Sequence, residues 1–251
     1  MIRLLFLDTE ATGVDTEDRL IQVAFSPRIC EHDEMLGSES VNELFKPPVP
    51  IKKAAMAIHH ITEKMIADKP TFMESSTQRH LVELDSKGFT LVAHNAPYDL
   101  GMLEKEGVFF PSFIDTLKVA KFLDDGNFEN HQLQYLRYHY ELDVDLGELS
   151  PHDAMADVIV LECVFWELVK ELMVKEQIIL EEAVERMKVI STQPLLLKNC
   201  KWPKHPNVPW AEVVKIDRDY MKWQLDNQMK KAEGERDIDM VFTLKHYLGI
   251  N

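Results

Sequence analysis

Only three cysteines occur in this chain, Cys30, Cys163 and Cys200, odd in number and far apart. That spacing excludes a disulfide framework, a paired zinc site and a redox dithiol, so all three are expected to be reduced thiols. Long hydrophobic runs are missing too. The apolar run at residues 4–7 is too short for the core of a signal peptide and leads straight into Asp8. The most apolar helical stretch, residues 158–169, is interrupted by Glu162 and Glu167. No segment is expected to cross a bilayer, and a cytoplasmic location follows as the expectation. Positive charge is also in deficit: 28 Lys and Arg stand against 43 Asp and Glu, for a net charge of −15. Such acidity argues against tight, sequence-independent duplex binding driven by counterion release. It still admits an enzyme that grips a chain end through cations on the phosphate, because those cations invert the local field. The charge is uneven: residues 201–251 carry a net +1, leaving −16 on the first 200.

What is present is a soluble, globular composition, 45% hydrophobic and 28% charged over 251 residues. That is enough chain for one domain, or one domain with a small appendage. Residues 3–7 form a nearly continuous apolar run suited to a central strand buried on both faces. Residues 20–25 and 41–45 read as further strands, and Pro47, Pro48 and Pro50 end the second of these. Short helical pieces follow at 54–60 and 63–67, helical spacing runs from 72 to 84, and strand character returns at 89–93 after Gly88. Pro97 suits the first turn of a helix that stops at Gly107. Helices are expected at 117–123 and 132–140. A long one should begin near Pro151 or Asp153, run to about residue 190 and break at least once. Three early strands, then strands alternating with helices, indicate a layered α/β or α+β domain. Prolines 194, 203, 206 and 209 mark a linker into a small C-terminal unit, giving an expected division into residues 1–190 and 199–251.

Four short stretches each place a carboxylate or imidazole where an apolar run gives way to a loop or helix start. Asp8 and Glu10 lie in FLDTEATG, Asp99 in LVAHNAPYDLGML, and His152 and Asp157 in SPHDAMAD. Singly, acids at such places are usually helix caps or dipole partners. Together they suit another purpose, since four carboxylates gathered without a cation repel and raise one another's pKa. Oxygen ligands of this type select Mg²⁺ or Mn²⁺ over zinc or copper. Two such cations, roughly 3.5 to 4 Å apart, can drive phosphodiester hydrolysis at neutral pH. Asp8 and Glu10, two residues apart on a strand, point to one side. His152 and Asp157, five apart, diverge by about 140° if both are helical. Asp153 as N-cap would leave His152 on the preceding loop, where an imidazole with an ordinary pKa near 6.5 can take a proton from the attacking water.

FLDTEATG, AHNAPYD and HDAMAD resemble the three motifs of the DEDDh 3′-to-5′ exonucleases, a superfamily that includes polymerase-proofreading exonucleases. The intervening AMAIHHITEKMIADKP resembles the exodeoxyribonuclease X branch of that family, and the likeness spans about residues 3–170. It implies a ribonuclease-H-like fold: a mixed five-stranded sheet flanked by helices. It also implies release of 5′-mononucleotides from a free 3′ end, with Asp8, Glu10, Asp99 and Asp157 as ligands of two Mg²⁺ or Mn²⁺ and His152 as general base. Tyr98 departs from the pattern in standing where phenylalanine is commoner.

Substrate contacts are expected from the backbone amides of Thr9 and Ala11, from Asn95 and Tyr98, from Met56, His59 and Ile61 against the terminal base, and from Val14 beside it. The C-terminal segments KHPNVPW, DYMKWQL and TLKHYLG interleave aromatic and basic residues. They suit either a mini-domain core or a stacking platform for nucleic acid. The expected partner is single-stranded DNA or a DNA 3′ end, with RNA or short oligoribonucleotides as the alternative substrate. A reading from another class, a non-catalytic polymerase-associated subunit, fits the complete catalytic set poorly, since a binding module has no use for a general base.

Overall fold

In the computed structural model the described residues are 1–31, 34–37, 39–126, 128–147, 149 and 153–250. A three-layer α/β unit occupies the first three quarters of the chain. Strand β1 (Ile2–Ala11) lies at its centre, antiparallel to β2 (Leu20–Glu31) and parallel to β5 (Thr90–Ala93), which is in turn parallel to β6 (Phe113–Asp115). β3 (Glu34–Gly37) and β4 (Val41–Leu44) pair with successive halves of β2. The mixed sheet therefore holds six strands but is five wide.

The alternation of the strands distributes their side chains between two cores. Leu4, Phe6, Val92 and Ile114 turn to one face, under α5 (Thr116–Leu123), α7 (Ala154–Glu176) and α8 (Leu180–Thr192). Leu5, Leu7, Val23, Phe25 and Leu91 turn to the other, under α3 (Ser76–Ser86) and α4 (Ala96–Lys105). Leu4 to Leu7 are all fully buried, as the unbroken apolar run requires of a central strand. Two short helices, α1 (Lys53–His59) and α2 (Glu63–Ile66), cover a satellite cluster of Ile21, Ile51, Ile61 and Ile66.

The helical spacing from 72 to 84 resolves into a 3₁₀ turn (Phe72–Glu74) followed by α3. Ser75 causes the break: its hydroxyl donates to the Phe72 carbonyl and accepts from the Gln78 amide, which caps α3. The long C-terminal helical region divides at Gln177, in the left-handed conformation (φ 57°), with α7 before it and α8 after. Beyond Pro194, Cys200, Trp210, Met221 and Leu244 form a separate cluster, built by α9 (Trp210–Ile216), α10 (Arg218–Met229) and α11 (Ile238–Leu248). Trp202 meets the buried Trp210 edge-on, with centroids 4.7 Å apart, whereas Trp223 is 55% exposed and lies nearly parallel to Tyr220. All three cysteines are free. Among the described residues no helix is long and apolar enough to cross a membrane.

Candidate active site

Three elements end at one place. β1 delivers Asp8 and Glu10 on the side that packs against α7, with Thr9 between them on the opposite side. α4 delivers the buried Asp99 from its first turn, and α7 delivers Asp157 from its own first turn. Local sequence explains each placement. Asn95 adopts the left-handed conformation (φ 71°) that asparagine tolerates, and turns the chain from β5 into α4, where Pro97 fits the first turn. Its amide donates to Asp115 Oδ1 at 3.0 Å, and the same carboxylate caps α5. Asp153 caps α7, accepting from the Met155 amide at 2.9 Å. His152 lies outside the described residues.

The carboxylates share one electrostatic field. Burial raises the Asp8 carboxyl well above its usual range, and Asp99, Asp157, Glu10 and Asp153 push it the same way. Glu10 is pushed up to about 8, first by burial and then by Asp157, Asp99 and Asp153. Asp99 rises to about 7, because burial outweighs the hydrogen bonds from the Thr9 hydroxyl and nearby backbone amides. Two of the four are engaged by neighbours: Thr9 Oγ1 donates to Asp99 Oδ1, and Gln134, on α6 (Leu133–His139), donates from Nε2 to Asp157 Oδ1, each at 2.7 Å. Among the described residues no donor answers the carboxylates of Asp8 and Glu10. Nor, among the same residues, do three His, Cys, Asp or Glu side chains stand close enough to enclose an ion as they are. An all-oxygen donor set with two unanswered, partly buried carboxylates fits a hard divalent cation, which would remove the repulsion that lifts the pKa values.

Two cavities share lining residues with the cluster. One, of about 310 Å³, is lined by Glu10, Ala11, Val14, His59 and Tyr98, with Ile58 at its edge. His59 is informative here. Its Nδ1 accepts the Ile61 amide (3.0 Å), which places the ring proton on Nε2, and burial lowers its pKa so that the ring stays neutral. The Ala11 carbonyl lies close enough to the buried ring to hold its pKa up in part, but without the geometry of a full hydrogen bond to Nε2. A buried donor so weakly answered in a pocket wall gains from a ligand oxygen. The second cavity, of about 780 Å³, is lined by Asp8, Asp157, Asn95, Lys121, His131 and Gln134 among others.

The structure therefore gathers Ala11, Val14, His59 and Tyr98 around one pocket and puts Asn95 in the other. Thr9 is buried with its hydroxyl committed to Asp99. Ile61 is buried in the isoleucine cluster, and half-buried Met56 packs on it. The Tyr98 hydroxyl donates to the Gly13 carbonyl (3.4 Å), and burial, reinforced by Asp99 and Glu10, keeps it protonated. Gln134 and Lys121 are additions that sequence reasoning missed. Both sit in helices read correctly, but nothing in the local pattern says which helix face meets the acids.

The family model described as Exonuclease (RNase T) matches residues 5–165, well over half the chain and a span that contains all four carboxylates. A DNA polymerase III subunit epsilon-like protein from Rhodobacter capsulatus is 30% identical over 178 residues, 68% of this chain but only 24% of that protein. Exodeoxyribonuclease 10 from Escherichia coli K12 is 26% identical over 249 residues, 98% of each chain. The solved structure of Exonuclease X in complex with 5′ overhanging duplex DNA superposes with a TM-score of 0.56 at 26% identity, covering 76% of this chain and 99% of that one. Divalent metal ions are generally used by this family. An acid cluster at the end of a central strand, in a chain that the family model covers from β1 into α7, leaves one conclusion: the protein belongs to the exonuclease family.

Proposed function

We propose that this protein is a 3′-to-5′ exonuclease acting on DNA, which holds two Mg²⁺ or Mn²⁺ ions and releases 5′-mononucleotides. The observation that carries the reading is that burial, together with the mutual repulsion among Asp8, Glu10, Asp99 and Asp157, supplied by three separate elements, pushes the pKa values of the first three upward. The relatives named as exodeoxyribonuclease and exonuclease X support DNA as the substrate. Asp8, Glu10, Asp99 and Asp157 would hold the cations. When bound, these supply charge relief at the scissile phosphate and acidify the attacking water.

The remaining steps fall to the chain's own side chains. The terminal nucleotide enters the pocket of Ala11, Val14, His59 and Tyr98. There the neutral His59 Nε2–H donates to one of its oxygens, and Tyr98 contributes a stacking or ribose contact of roughly 1 to 3 kcal/mol. The backbone amides of Thr9 and Ala11 lie at the same strand end. Ile61 acts through the His59 ring that its amide orients, and Met56 packs behind it. Asn95 lies on the side of the acids where the preceding nucleotide runs. His152 accepts the proton of the attacking water. Residues 1–190 form the catalytic unit and 199–251 a small module.

End-labelled DNA and RNA oligomers, digested in single turnover with Mg²⁺ and with EDTA, test the whole reading. Stepwise shortening from the 3′ end is expected only with Mg²⁺, faster on DNA. Asp8→Ala and His152→Ala should each lose at least about 10²-fold in rate. Equal activity in EDTA, or an active Asp8→Ala, refutes the assignment.

A further inference from the structure

The cavity beside Asp8 and Asp157 does not end at the catalytic unit. Two of its lining residues, Lys121 and His131, also line a trough between α5 and the C-terminal unit, whose opposite wall carries Lys198, Asn199 and Lys201. We propose that a nucleic-acid strand runs from the active cleft over Lys121 into this trough, so that the C-terminal unit forms part of the binding channel for phosphates upstream of the cut. The proposal rests on the exonuclease reading above.

Three observations support it. First, the C-terminal unit is docked against the trough. Lys118 Nζ on α5 faces Asp239 Oδ1 on α11 (3.4 Å) and Lys201 Nζ reaches the Phe128 carbonyl (3.0 Å), while the amides of Leu195 and Leu197 tie the preceding segment to α11 at Asp239 Oδ1 and the Thr243 hydroxyl (2.9 Å each). Lysines on that wall are therefore held in place, and less entropy is lost when a strand settles among them.

Second, the trough's acids are occupied where its lysines retain capacity. Asp124 accepts from the amides of Gly126 and Phe128 and from His131, while Asp237 caps α11 through the Met240 amide. Asp239 accepts the Leu195 amide and faces Lys118 at 3.4 Å. Lys121 has no ion pair or hydrogen bond among the described residues. Lys198 pairs with Asp125, a carboxylate that is 62% exposed and easily exchanged for a phosphate. Lys201 contacts the Phe128 carbonyl, Asn207 Oδ1 and, at 3.7 Å, the Asp124 carboxylate, so it lends the trough its positive field and can exchange the long Asp124 pairing for a phosphate.

Third, the C-terminal segment that builds the trough's far wall, residues 201–251, carries a net +1, against −16 on the first 200 residues. A polyanion leaving the acid cluster meets less repulsion in this direction.

The test compares Lys121→Gln and a Lys198→Gln/Lys201→Gln double variant with the full-length parent, on single strands of about three and about 16 nucleotides over a range of KCl. Each lysine removed should lower kcat/KM on the longer strand about 3- to 10-fold, through KM, and flatten the slope of log(kcat/KM) against log[KCl] by about 0.7. The loss should be smaller on the trimer, and the arginine variants should recover most of it. A parent that shortens DNA while Lys121→Gln keeps the full slope and KM on long strands overturns the channel but not the exonuclease. Equal losses at both lengths also overturn it. A parent inactive on every strand sinks the exonuclease reading itself. If the double variant unfolds, Lys121→Gln alone decides, since its ammonium has no hydrogen bond or ion pair among the described residues to lose.

Discussion

Glu10→Gln should stabilise the cation-free protein while destroying its activity. The Glu10 carboxyl sits at about 8 in the folded protein against an ordinary 4.5. A raised folded pKa means that the folded state favours the neutral acid, so stability is full below about pH 4 and falls as pH rises towards 8. Linkage over that interval gives roughly 4 kcal/mol of destabilisation at pH 8 and under about 1 kcal/mol at pH 5. Glutamine cannot ionise and removes the penalty. Because Asp8 and Asp99 titrate against the same charges, about half of it, roughly 2 kcal/mol, should be recovered. For a chain of this length that corresponds to a rise in Tm of about 4 to 8 °C. Calorimetry in EDTA at pH 8 and pH 5 measures it, with the larger rise at pH 8. Saturating Mg²⁺ should then reverse the order, since mass action stabilises the parent more than a variant that lacks a ligand. A variant that melts at or below the parent at pH 8 in EDTA would show that Glu10 is not repelled by its neighbours, and would remove the main support for a cation cradle.

Other perturbations probe the walls of the site. Asp18 is buried in the β1–β2 loop and accepts from the Thr12 hydroxyl (2.8 Å), the Asp15 amide (2.7 Å) and Lys52 Nζ (2.6 Å). Asp18→Ala strands those donors and should cost about 2 kcal/mol in denaturant titration, with a larger relative loss of activity as the Val14 loop loosens. Burial tends to raise the Asp18 pKa, but those hydrogen bonds prevail and lower it. Its contribution is therefore present above about pH 4 and lost on further acidification, and a parent–variant difference that persists at pH 2 would contradict this. His59→Phe keeps the ring volume and removes the Nε2 donor. It should raise KM for DNA about 5- to 20-fold with little change in Tm, and an unchanged KM would return His59 to simple packing.

The parts of the fold that were legible in the sequence are those where one local pattern decides. The run at residues 4–7 marks the central strand because a strand buried on both faces has no polar alternation to hide it. Asp153 marks the start of α7 because it is a good cap directly before an apolar helix. β3 and β6 were not read. The Phe113–Asp115 strand is three residues long, flanked by Pro111 and a helix cap, and exists because β5 offers it a ladder. The four acids whose charges act on one another were legible through their spacing and motif context, since each stands near an element's end. Gln134, 23 residues from its partner Asp157, was not. Neither was the Lys52 bridge to Asp18, which ties α1's entry to the β1–β2 loop across 34 residues. Such pairs are set by how elements dock, and side-chain type alone says nothing of it.

A chain with net charge −15 that acts on a polyanion poses an electrostatic problem, and the acid cluster both creates and resolves it. With Asp8, Glu10, Asp99 and Asp157 unneutralised, the end of β1 repels any phosphate, and their raised pKa values record the same repulsion acting among themselves. A cation that relieves the second relieves the first, so cation affinity and strand affinity are positively coupled, and by linkage each strengthens the other by the same factor. General acidity then favours specificity for the chain end. On the proposed function, a strand is retained where its terminal phosphates lie over cations held at the acid cluster.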